Sequence, residues 1–231
     1  MRPLPAANGG GKSGDARVIG GCVWGGVVMA SVVEICNLAL AKVGRGSINS
    51  LSEASPEAEV CGLFFPGVRD SLLRQFPWNF AARSALLGEV SAAIPEAAVW
   101  GHVYQYPGDA LHVYRVFEAG RFAAEPANEF EVVGSGSNRY ICCNVYRCYA
   151  RYGMKVTDPT VFDPLFVEAL VLKLAIELAT EKDSSSRLRV LMTAFSAALE
   201  RAMLAGALEG GAKKPRSQEA GSPRAYILAR R

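Results

Sequence analysis

A chain of 231 residues, half of them apolar and a fifth charged, is long enough for one ordinary core and too apolar to be intrinsically disordered. Its formal charge of +3 hides a split: residues 1–28 carry +2 and residues 211–231 carry +5, which leaves about −4 for the stretch between. An acidic body between two basic ends lacks the footprint of a dedicated nucleic-acid-binding domain.

In chain order, residues 1–30 read as an irregular Gly-rich extension. Gly9-Gly10-Gly11-Lys12-Ser13 resembles the end of a phosphate-binding loop, but Ala6 stands where that motif needs its first glycine, and no hydrophobic strand leads in. The apolar run 18–30 has 13 residues, four of them Gly, and is too short to span a bilayer. A first helix is predicted over 31–43, with Val32, Cys36, Ala39, Leu40 and Val43 on one face and Gly44 closing it. A Ser-rich loop over 45–54, anchored by Ile48 and Leu51, is expected to cross the helix pair.

The helix that follows organises the chain. Ser55 is its N-cap, Pro56 its first position, and Glu57 and Glu59 favour the positive end of its dipole. Cys61, Phe64, Phe65, Val68, Leu72 and Phe76 recur at helical spacing. Pro66 falls inside the pattern and predicts a kink for which Gly62 leaves room. Pro77 forces Phe76 out of the helix, and Trp78 and Phe80 pin the exit. Pro66, Pro77, Trp78 and Phe80 are therefore expected to be structural anchors.

From Leu86 to Thr157 the period becomes strand-like. Strands are predicted over 99–106, 111–118, 129–133, 139–145 and 148–155, with turn signals at Pro107-Gly108-Asp109 and residues 134–138. Asp163 then caps a helix that begins at Pro164, with Leu165, Phe166, Ala169, Leu172, Ile176 and Ala179 inward. Ser184-Ser185-Ser186 recaps a long helix over 187–208, with Leu191, Phe195, Ala198, Ala202 and Ala205 in register, ended by Gly210 and Gly211. Residues 212–231 hold Pro215 and Pro223, six basic residues and the apolar triplet Tyr226-Ile227-Leu228. Such a segment cannot bury itself and reads as an arm for a protein groove.

No active site is legible. His102 and His112 fall on strands beside Tyr residues, without the spacing of a metal site. Cys22, Cys36, Cys61, Cys142, Cys143 and Cys148 lack paired zinc spacing and read as small buried thiols. No nucleophile elbow or carboxylate pair is present. Arg69 and Asp70, neighbours on a helix, are expected to be solvated or to pair across subunits. The aromatic runs 76–80 and 104–114 read as core, since a stacking platform needs a basic groove and only Arg115 and Arg121 lie close.

Several blocks together carry a resemblance: Ile35-Cys36-Asn37-Leu38-Ala39-Leu40-Ala41-Lys42-Val43-Gly44, Ile48 with Leu51, Glu57-Ala58, Val68-Arg69-Asp70 with Leu72-Leu73-Arg74, and Pro77-Trp78-Asn79-Phe80-Ala81. A later block runs from Tyr149-Ala150-Arg151-Tyr152 to Asp158-Pro159 and Phe162-Asp163-Pro164-Leu165-Phe166-Val167-Glu168-Ala169-Leu170. In this order, over about residues 30–208, the chain resembles tail tubular protein A, the head-to-tail adaptor of short-tailed bacteriophages.

The expected fold is α+β: a four-helix bundle from residues 31–82 and 163–209, a small antiparallel sheet inserted as residues 83–162, and extended ends at 1–30 and 210–231. The resemblance implies a virion protein without catalysis or cofactor. It implies a ring of twelve copies between the portal protein and the tail nozzle protein, with genomic DNA passing along the axis without sequence-specific binding and no membrane involved. The arm, through Lys213, Lys214, Arg216, Arg224, Tyr226, Ile227 and Leu228, is the expected portal contact. The alternatives are a DNA-binding accessory protein of a phage and a tail-associated cell-wall-degrading enzyme.

Overall fold

Local chemistry sets the helix ends in the computed structural model, which describes residues 31–121, 128–179 and 185–210. Ser31 accepts a bond from the Glu34 amide at 3.1 Å and opens α1 (Val32–Val43), which Gly44 closes in the left-handed conformation at φ 74°. Ser55 caps α2 (Pro56–Gln75), which stays helical through Pro66 although that residue has no amide to donate to the ladder. Asp163 accepts from the Leu165 and Phe166 amides and opens α3 (Pro164–Leu178). The last helix, α4 (Ser185–Glu209), extends the predicted range slightly. The extension 1–30 and the arm beyond Gly210 lie outside the described residues.

Between the helical halves the described residues form six antiparallel strands: β1 (Ala82–Leu86), β2 (His102–Gln105), β3 (Ala110–Phe117), β4 (Phe130–Ser135), β5 (Asn138–Cys143) and β6 (Tyr149–Met154). They form two three-stranded sheets, ordered β1-β6-β3 and β2-β5-β4, rather than the one small sheet expected. Val113, Val116, Ala150 and Tyr152 from the first share a core with Tyr104, Ile141 and Cys143 from the second, so the sheets face each other. Sequence alternation assigns inward faces but not partners, and it cannot say where a sheet divides.

The four-helix bundle is also corrected. Helix α3 packs separately against α1, α2 and α4, and these three pack far more on α3 than on one another. Composition explains this. Phe166, Ala169, Leu170, Val171, Leu172, Leu174, Ala175 and Leu178 are buried on every side of α3, so it is an apolar hub rather than one stave of a barrel. Helix α4 buries only Leu191, Ala198 and Ala202 fully, and Val190, Met192, Leu204 and Leu208 are exposed. It is long and apolar enough to cross a membrane by length and composition alone.

The two sheets meet the helices through the first. Asn37 holds the loop over α1 by accepting from the Ile48 amide at 2.8 Å and donating to its carbonyl at 2.9 Å. Arg74, near the end of α2, donates to the Leu111 carbonyl of β3 at 2.8 Å. Tyr114 on β3 crosses β6 at Gly153, where an added Cβ would fall 2.9 Å from the Tyr114 Cζ. Gly153→Ala should therefore lower stability by about 1–3 kcal/mol through overpacking. Removing the ring as well, with Tyr114→Ala, should make the double loss smaller than the sum in urea unfolding. Additive losses would show that the two positions are not coupled.

Candidate functional site

The predicted anchors assemble where α2 ends. Because Pro77 follows, Phe76 is extended and the final carbonyls of α2 have no amides ahead of them. The Trp78 indole satisfies one: its Nε1 donates to the Leu72 carbonyl at 2.8 Å, and the residue is 2% exposed. Ring centroids of Trp78 lie 5.1 Å from Phe76 and 5.0 Å from Phe166, both edge to face, and 6.1 Å from Phe80 in a stacked pair. Phe80 and Phe162 close the cluster on Phe166 at 5.1 and 5.2 Å. Pro77 and Trp78 thus turn α2 into β1 on a buried aromatic corner, whereas Pro66 is exposed on the outside of the helix.

A groove opens beside this corner. Trp78, Asn79, Phe80, Val161 and Asp163 line one side, and Ala202, Gly206 and Glu209 of α4 line the other. The last turn of α4 is pinned there: Asn79 Nδ2 donates to the Gly206 carbonyl at 2.8 Å, and the Phe76 ring would lie 3.2 Å from a Cβ at Gly206. Sequence reasoning missed Val161, Gly206 and Glu209. Their one signal was the spacing of Gly206 and Gly210, small residues one helical turn apart that let another element approach closely.

Of the other chemistry-bearing residues, Cys143 and Cys148 share a hydrogen bond near His102, and that bond holds the Cys143 thiol below its ordinary range, while the rest stand apart. His102 Nδ1 lies 2.7 Å from Glu89 Oε1 with the Tyr146 ring alongside, and His112 stands edge to face with Tyr114. Cys36, Cys61, Cys142, Cys143 and Cys148 are all buried and free. Burial pushes the thiols of Cys61 and Cys142 up and raises that of Cys36 to about 12, so they are held as thiols rather than reactive thiolates. Among the described residues no group of three or more His, Cys, Asp or Glu is placed to hold a metal ion. Tyr104 and Tyr106 are core residues rather than an exposed stacking face.

Arg69 departs from expectation. It is 6% exposed and bonds its own neighbour, with Nε 2.8 Å and Nη2 2.7 Å from Asp70 Oδ1. Lys155 Nζ lies 3.0 Å from the other carboxylate oxygen, so Asp70 bridges α2 to the chain leaving β6. The proposed portal-contact residues, Lys213, Lys214, Arg216, Arg224, Tyr226, Ile227 and Leu228, lie outside the described residues, as does Cys22. No protein-family model matches the chain, and no curated protein does.

Proposed function

We propose that the chain is a structural virion protein, a head-to-tail adaptor of a short-tailed bacteriophage. Copies form a ring, twelve by the resemblance, between the portal protein and the tail nozzle protein, and the genome passes along its axis. The protein works there by binding and not by catalysis. The arm reaches the portal, with Tyr226-Ile227-Leu228 in a groove and the flanking basic residues on portal carboxylates.

One observation carries this reading: the ordered blocks that resemble tail tubular protein A. Ile35 and Leu40 of the first block, Val68, Leu72 and Trp78 of the next, and Phe162, Phe166 and Leu170 of the last lie in one core. Distant blocks that resemble one family and pack on one another support the resemblance as one of fold as well as of words. The exposed apolar residues of α4 suit contact between copies better than a solvated surface.

The test is assembly on the cognate portal. Electron microscopy of particles formed from the two purified proteins should show a ring with twelvefold rotational symmetry. Deleting residues 212–231 should leave the melting temperature nearly unchanged and abolish portal binding, because the main core of the described residues is built from positions 35–202. A truncated chain that still assembles with unchanged affinity would move the joint to the helices. Failure of the full chain to bind any portal would overturn the adaptor reading.

A further inference from the structure

The groove beside the aromatic corner has an apolar floor, Trp78, Phe80 and the half-exposed Val161, and an acidic rim, Asp163 and Glu209. Its volume is about 190 Å³. An engineered apolar cavity of roughly 150 Å³ takes up benzene, so this groove has room for one aromatic or branched aliphatic side chain. Helix α4 delivers the chain to its edge: Glu209 lines it, and Gly210 stands beside Asn79 with its amide bonded to the Gly206 carbonyl at 3.0 Å. The 21 residues that follow Gly210 therefore start at the mouth of the groove.

We propose that the occupant is the chain's own C-terminal segment, with a side chain of Tyr226-Ile227-Leu228 seated in the groove of the same copy. Reach is not limiting. The stretch from Gly210 to Tyr226 could span roughly 50 Å fully extended, far more than a return to the rim requires. Tethering compensates for small size: a segment joined to its site is held at an effective concentration on the order of millimolar, so even a site of about millimolar affinity is roughly half filled within one chain.

Charge selects the same occupant. Arg224 stands two residues before Tyr226 and Arg230 two residues after Leu228, so seating the triplet brings a guanidinium to each side of a rim that carries Asp163 and Glu209. A nucleic acid would meet the wrong sign there. A second copy would bring the same triplet without the tether. The triplet occupies this groove in the chain before a portal is bound, since it cannot sit in both grooves at once.

The test uses the full chain with Tyr226→p-benzoylphenylalanine, a photoreactive residue of similar shape. Irradiation should join position 226 to residues 78–80, 161 or 202–209 of the same polypeptide, giving a product that migrates as a monomer. Val161→Glu, at a site half exposed and so tolerant of substitution, should cut the yield by about tenfold or more without changing the melting temperature. Glu209→Lys should lower it by a smaller factor, since it removes only one rim charge. Four outcomes would overturn the proposal. They are no crosslink, crosslinks mapping away from the groove, products only between a tagged and an untagged copy, and a yield indifferent to both substitutions.

Discussion

Trp78→Ala should lower the unfolding free energy by about 3–5 kcal/mol, the range for removing a large aromatic from a core. Two separate losses add. The ring leaves a void between Phe76, Phe80 and Phe166, and the Leu72 carbonyl loses the indole N–H that satisfies it inside the fold. Trp78→Phe separates them. It keeps most of the aromatic contact and gives up the hydrogen bond, and should cost about 1–3 kcal/mol as an unsatisfied buried acceptor does. Urea unfolding measures both. A loss below about 1 kcal/mol for Trp78→Ala would show that the corner does not hold α2 to α3.

Asp70→Ala should cost about 3 kcal/mol, at the lower end of the range for breaking a buried ion pair because the Asp70 side chain is 24% exposed. It strands the buried Arg69 guanidinium over the Phe65 ring and frees Lys155 from α2. Arg69→Met should be far milder and close to neutral, since it removes the buried charge together with its need for a partner and keeps most of the packing. The asymmetry between the two substitutions is the informative quantity. Were Arg69→Met the more damaging, packing of the Arg69 stem rather than uncompensated charge would govern this site.

The aromatic corner was legible because its causes are adjacent in the chain. Pro77 ends α2 by acting on Phe76, and Trp78 and Phe80 follow before any sheet begins. Arg69 was misread for the opposite reason. Helical spacing from Phe65 and Leu72 puts position 69 on the inward stripe, but a charged side chain there reads as solvated, and bonding of its guanidinium to the next residue depends on how α2 sits against its surroundings. Pro66, by contrast, does not break α2, as its neighbour Gly62 led one to expect: the helix continues through it, with Pro66 and Gly62 both on the exposed side.

By itself the sequence determined where helices start and stop, and which faces they turn inward. Ser31, Gly44, Ser55 with Pro56, and Asp163 with Pro164 act through hydrogen bonds and dihedral limits within a few residues, so they can be read without the rest of the chain. Tertiary structure alone decided the partners. The Ala-Arg-Ser-Ala-Leu stretch of β1 has little alternation of its own and is a strand because β6 lies beside it, Ala82 opposite Gly153. The six strands divide into two sheets, and the four helices arrange around α3, because a residue apolar enough to be buried does not specify what buries it. That choice falls to contacts between segments far apart in the chain, where shape and the loss of chain entropy act and local pattern does not.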